Sequence, residues 1–128
     1  MSTQGDYVEL ALGSTETTET ELGTITIPSA GVSRVIGVWG VLNAVQTTAE
    51  YVSGYFRLAF GSIAGTYKFP TSNIVAGAGT LAGGTVGTEV RIIPVNIPVP
   101  NKESVKCFMN TSLAQTGNCK GAVGLIFE

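Results

Sequence analysis

From Arg91 to Pro100 the chain reads Arg-Ile-Ile-Pro-Val-Asn-Ile-Pro-Val-Pro, with aliphatic residues and prolines on opposite parities. In an extended chain, side chains alternate between faces and backbone N–H groups alternate between the two lateral edges. Pro94, Pro98 and Pro100 share one parity, so their rings share a face and their missing donors share an edge. Ile93, Val95, Ile97 and Val99 hold the other parity and form a ladder for a core. The pattern predicts an edge strand that pairs on one side and is closed to strand addition on the other.

The same two-residue period recurs along the chain, helical periodicity is almost absent, and breaks return every ~8–12 residues. Over 7–12 the even positions are apolar, and 13–21 is a Thr/Glu-rich stretch that reads as an exposed loop. Residues 1–21 are therefore expected to form an extended N-terminal arm or loop. Thr24-Ile25-Thr26-Ile27 alternates cleanly and stops at Pro28, with a turn over 29–31. Arg34 to Leu42 is apolar on both parities; one face must meet a second sheet, and the other a loop, a neighbouring subunit or a partner. A longer strand is expected over 50–61, with Val52, Phe56, Leu58 and Phe60 inward and Tyr51, Ser53, Tyr55 and Arg57 outward. Gly54 on its inward side predicts a bulge or a close backbone approach. Short strands follow at 67–69 and 73–76, then a Gly-rich loop over 77–84, then a strand over 86–93. The switch of inward parity near Ile92-Ile93 predicts a bulge or a crossing between sheets. Strands over 105–113 and 120–127 close the fold as a hairpin, with Val105, Cys107 and Met109 on one face and Val123, Leu125 and Phe127 on one face.

The fold class is all-β: a two-layer antiparallel sandwich of about eight strands in a single domain, 1–128. A jelly roll fits better than an immunoglobulin-like sandwich. The strands are uneven and the loops long, and Trp39 precedes both cysteines, which breaks the Cys–Trp–Cys order.

Composition sharpens this picture. The 128 residues are 44% apolar and 12% charged, about half the usual charged fraction. A lone soluble domain carries more surface charge than that. Low charge with positive mean hydropathy fits a surface covered in part by sister subunits or another partner, and equally a compact β-domain whose surface is Thr, Ser, Gly and Asn. Net charge is −2, and no basic residue precedes Arg34. A nucleic-acid binder needs a basic stripe or arm, so no direct nucleic-acid binding is expected. No apolar run approaches the ~18 residues of a membrane span. Met1 to Asp6 lacks the basic and apolar regions of a signal peptide, so classical secretion is not expected.

Candidate chemistry is sparse. Histidine is absent, which removes the commonest general base, the usual triads and most transition-metal sites. Asp6, Glu9, Glu16, Glu19 and Glu21 crowd the N-terminal stretch. Calcium loops lean on Asp and Asn with a Gly at the bend, and glycosidase carboxylates must be held on rigid strands. A solvated acidic loop fits better. Gly77-Ala78-Gly79-Thr80-Leu81-Ala82 matches G-x-G-x-x-A, yet Gly83 and Gly84 follow where a helix would have to start. No lysine follows to make a P-loop. No metal, cofactor or catalytic residue is expected, and the chain reads as a non-enzyme. Asn110-Thr111-Ser112 is a glycosylation sequon of little weight without a signal peptide.

Trp39, Tyr51, Tyr55 and Tyr67 offer aromatic faces suited to sugar stacking, although Trp39 lies in the most apolar strand and reads as core. Tyr51, Tyr55 and Arg57 share one outward face and, with Val35, Val38 and Trp39 of the apolar strand, are the expected subunit or ligand contacts. Cys107 and Cys119 lie in the last two strands. A bridge between them would close a short loop and stabilise by roughly 3 kcal/mol. If the hairpin turns at 115–118, Cys119 falls opposite a residue near 110–113 and the thiols stay apart.

A His-free, weakly charged, Thr/Gly/Val-rich sandwich with the proline-guarded edge of 91–100 resembles the shell-building proteins of viruses, such as single jelly-roll capsid proteins or small phage-head decoration proteins. The resemblance spans the whole chain by pattern and carries over no functional residue. It implies a structural protein of the virion that assembles with its own copies or with other shell proteins. Many jelly-roll coats carry a basic N-terminal arm, whereas the arm here is acidic; that points to an outer-layer, membrane-backed or decorating component. The alternative is a lectin-like module, extracellular or on a cell surface, presenting Trp39, Tyr51 or Tyr55 to glycans.

Overall fold

A computed structural model describes residues 4–13, 19–28, 34–45, 50–61, 66–71, 74–76, 85–87, 91–99, 103–111 and 119–128. The expected turns at 29–31 and 115–118, the loop over 77–84, Glu16, Pro100, and the side chains of Tyr51, Val52 and Cys119 lie outside the described residues.

Among the described residues the elements are all strands: β1 (Gln4–Gly13), β2 (Thr20–Thr26), β3 (Arg34–Val45), β4 (Glu50–Val52), β5 (Gly54–Phe60), β6 (Thr66–Pro70), β7 (Ile74–Ala76), β8 (Thr85–Gly87), β9 (Ile93–Pro98), β10 (Ser104–Thr111) and β11 (Cys119–Phe127). The pairs β1–β11, β2–β10, β3–β9 and β5–β6 nest one inside the next, as in a long hairpin whose tip is β5–β6. Rolling that hairpin up adds the pairs β3–β11 and β5–β10. The layers then run β1-β11-β3-β9 and β2-β10-β5-β6, all antiparallel, which is a jelly-roll sandwich of eight principal strands. β8 extends the first layer by pairing with the far end of β3, and β4 with β7 forms a separate two-stranded ribbon.

Alternation builds the core as expected. Ile25 and Ile27 from β2 and its end, Phe56, Leu58 and Phe60 from β5, Val105, Cys107 and Met109 from β10, and Val123, Leu125 and Phe127 from β11 all point between the layers. Each such side chain, once fully buried, contributes about 1.5–3 kcal/mol of transfer free energy. β9 keeps its ladder inward, Ile97 and Val99 buried, with Pro94 and Pro98 exposed. Among the described residues β9 pairs with β3 alone, so the proline-bearing strand is an edge.

Two irregularities set which residues face inward. On β2 the register slips beside Gly23, whose φ of +151° suits glycine, and Leu22 and Ile25, three apart, both reach the core. On β3 the partner of Phe127 is Val35 while that of Ile126 is Gly37, so Ile36 is an extra residue. Val35 and Val38 therefore share the inner face.

The structure departs from expectation in four places. β10 and β11 are not a hairpin but lie in opposite layers, each paired with strands far away in sequence. The strand expected over 50–61 breaks at Ser53, where β4 leaves for β7. The bulge expected at Ile92-Ile93 sits further along, where β9 has two residues between Pro94 and Ile97 against one in β3. Residues 4–13 of the stretch read as an arm or loop form β1, with Gln4 paired to Phe127.

Candidate contact surfaces

The two outer faces of the sandwich differ in kind. Outside β2-β10-β5-β6 the surface is polar and cross-linked. Arg57 donates from Nε and Nη2 to the two Glu19 carboxylate oxygens at 2.8 and 2.6 Å, and from Nη1 to Thr66 Oγ1 at 3.3 Å. Its guanidinium carbon lies 4.0 Å above the Phe108 ring, and Lys68 Nζ lies 3.8 Å from the Tyr55 ring centre. The remaining outward side chains here include Thr24, Thr26, Ser104 and Lys106, all exposed.

The Arg57 hydrogen bond holds the Glu19 carboxyl below its usual 4.5 and, in turn, raises the Arg57 guanidinium. A depressed carboxyl means the unfolded chain takes up its proton first, so the stabilisation is present above about pH 4.5 and fades as pH falls further. The pair is partly exposed, which limits it to about 1 kcal/mol. Urea midpoints of the parent and Glu19→Gln should therefore differ at pH 7 and converge toward pH 3; parallel curves across that range would remove the pair from the stability balance.

Outside β1-β11-β3-β9 the surface is apolar. Trp39 stands in register with Gly124, and Gly124 with Tyr7. The indole lies flat on the glycine: a β-carbon added at Gly124 would sit 2.1 Å from Trp39 Cε2. The Tyr7 ring approaches at 6.1 Å between centroids, tilted by 37°. Ile92 covers Gly37 in the same manner, 3.0 Å from a β-carbon placed there. Tyr7 and Ile92 remain 56% and 54% exposed. Charge is confined to the ends of this face: Glu9 with Lys120 at one, Arg34 with Glu128 at the other.

Against the residues singled out from sequence, the structure separates what had been grouped. Val35 and Val38 are buried at 0% exposure and offer nothing to a partner, because the extra residue Ile36 turns both inward. Trp39 is half-buried on the outer side rather than in the core. Tyr55 and Arg57 share the other outer face, while the backbone of Tyr51 belongs to β4. Tyr67 turns inward, edge-on to Phe60 at 5.6 Å. Trp39 and Tyr55 thus lie on opposite sides of the molecule and form no common platform. The sequence did not mark Tyr7 or Ile92 as contact groups, and it placed Glu19 in a solvated acidic loop, whereas Glu19 is held by Arg57. The signal for the first two was available: Gly124 and Gly37 are outward positions beside large apolar neighbours, where a ring can lie flat.

Cys107 carries a free thiol in the core, its Sγ 3.7 Å from the Val105 carbonyl oxygen. Burial pushes the thiol up to about 12, with a smaller contribution from Asp6. The stabilisation from keeping it protonated is complete below the ordinary thiol range and is lost as pH rises toward 12. In a Cys119→Ser chain, a disulfide reagent at pH 8 should leave Cys107 untouched until urea unfolds the protein; quick labelling in buffer would mean that this part of the core opens readily.

A cleft of about 130 Å³ lies between the layers, lined by Gly40, Phe56, Pro70, Thr71, Arg91 and Ile93. That is smaller than the ~300–1,000 Å³ of ligand pockets. Among the described residues no three metal-ligating side chains come together, and no helix is long and apolar enough to cross a membrane.

The arrangement defines a fold, a two-layer jelly-roll sandwich. Solved structures match it in shape. A crystal structure of the infectious bursal disease virus particle aligns with a TM-score of 0.50 at 11% identity, covering 98% of this chain and 31% of that one. The Gt strain of the same virus aligns at 0.49 and 14%, covering 97% and 33%. Particles derived from a mutant VP2 protein of that virus align at 0.47 and 14%, covering 97% and 31%. No known sequence family and no curated protein sequence matches the chain. The likeness is one of fold, and the chain spans about a third of the length of the capsid chains it matches.

Proposed function

We propose that this chain is a structural component of a virus particle, a shell or decoration subunit that works by burying its own surface against other subunits. The observation that carries the reading is the nested jelly-roll strand order, shared in shape with an icosahedral virus particle. The low charge of the sequence and the apolar outer face around Trp39 support it, because both suit a surface meant to be covered. The chemistry of the subunit is then that of association, and no catalytic step is assigned to it. Its place is the virion, with like subunits or other shell proteins as partners.

The test is the mass of the purified chain. Light scattering at micromolar concentration and electron microscopy of the same sample should show oligomers or closed particles. A chain that stays monomeric and does not bind to preformed shells of its own particle would overturn the reading.

A further inference from the structure

We propose that the outer face of the β1-β11-β3-β9 layer is a two-fold interface with a second copy of this chain. The proposal deepens the shell reading above and rests on it by naming which surface associates. The face has the form of half a sandwich core. Its middle is uncharged, and its bulky groups are pressed flat by the glycines beneath them, Trp39 on Gly124 and Ile92 on Gly37. A smooth apolar sheet face suits aligned packing against another sheet at ~10 Å. The opposite outer face, held by the Glu19–Arg57–Phe108 cluster and studded with lysine and threonine, does not.

Charge placement selects a second copy as the occupant. Lys120 and Glu128 project outward from the same strand line, four residues to either side of Gly124. A two-fold axis lying between the layers, perpendicular to β11 at Gly124, lays β11 antiparallel over its mate. Each Lys120 then faces the Glu128 of the other copy, about 13 Å from the axis on both sides. The Lys120 side chain is 57% exposed and its 3.8 Å contact with Glu9 is loose, so its ammonium can turn to join the Arg34–Glu128 pair of the other copy. The footprint, four strands wide and about 30 Å long, is near 600 Å² per copy. That is the lower limit for a specific interface, enough for a contact reinforced by others in a shell.

Charge-reversal sedimentation tests this. The parent chain should self-associate, and Ile92→Glu, at an exposed position, should weaken association at least tenfold with the circular dichroism unchanged. Lys120→Glu and Glu128→Lys should each weaken it, and mixing the two variants should restore it, because in the mixed pair every charged end again meets its opposite. Parent-like association of all three variants would overturn the two-fold face and leave the shell reading standing. Dimers that follow the charge rule but neither assemble further nor bind preformed shells would keep the face and remove the shell. A monomeric parent would end the two-fold face, and the shell reading too if that monomer also fails to bind preformed shells; Trp39 fluorescence showing this face docking on phosphatidylcholine vesicles instead would likewise end the two-fold face, and Trp39 is the lone tryptophan of the sequence.

Discussion

Phe56→Ala should lower the unfolding free energy by about 3–5 kcal/mol, the range for emptying a buried aromatic site. Phe56 is 1% exposed, stacks on Phe69 at 5.3 Å, and fills the space that Gly40 leaves in the facing layer. A β-carbon at Gly40 would lie 2.3 Å from Phe56 Cδ1 and 2.8 Å from Cε1. Gly40→Ala alone should therefore cost about 1–3 kcal/mol, since the ring must shift from its stack on Phe69 to admit the new methyl. The two losses should not add. In the double variant the new methyl enters the hole that the ring has vacated, and the combined loss should fall short of the sum by at least ~1 kcal/mol. Urea unfolding of the four proteins reads this directly. Strict additivity would mean that Gly40 and Phe56 do not touch, and the account of how the layers lock together would fail with it. The lock matters for the outer side as well, because Gly40 sits between Trp39 and Val41, which face outward from the same strand.

Parity was the legible part of this chain. The aliphatic ladder of β9, the alternation of Thr24 to Ile27, and the inward sets of β5, β10 and β11 are local properties of an extended backbone, and each appears in the structure as read. What misled was pairing. Strands close in sequence suggest a hairpin, yet β10 finds β2 and β5 while β11 finds β1 and β3. Those choices come from rolling up the whole chain, and no window of ten residues contains them. A bulge is equally invisible. Ile36 is one more apolar residue in an apolar run, and only its mismatch with Ile126 and Phe127 shows that Val35 and Val38 share a face. The candidate contacts suffered accordingly: Val35 and Val38 went to the core, and Tyr7 and Ile92 came to the surface. The second face of the β3 strand, for which the sequence left a loop, a subunit or a partner open, is the apolar outer face around Trp39.

Gly54→Ala should cost about 3 kcal/mol, at the upper end for an overfilled site, and lower the melting temperature by roughly 10 °C. The position is crowded first by backbone, with the Leu42 side chain next at 3.0 Å. A β-carbon there would lie 2.2 Å from the Asn110 carbonyl oxygen and 3.3 Å from its carbon. Relief requires β5 to move away from β10, where Gly54 pairs with Thr111 and Tyr55 with Asn110. The same motion would strain the clasp with Thr71, whose N–H donates to the Gly54 carbonyl at 2.9 Å and whose Oγ1 accepts from the Gly54 N–H at 2.9 Å. That clasp also accounts for the break at Ser53. The Gly54 backbone groups turn toward Thr71, so the strand begins anew there and β4 pairs elsewhere with β7. Gly5→Ala is the matched control. Its nearest neighbour would be the Leu125 carbonyl oxygen at 3.4 Å, an ordinary contact on an exposed strand. It should change stability by no more than about 0.5 kcal/mol, with a gain possible from the stiffer unfolded chain. Thermal melts of both variants decide the matter: a Gly54→Ala loss no larger than that of Gly5→Ala would mean that β5 and β10 are not in the register described.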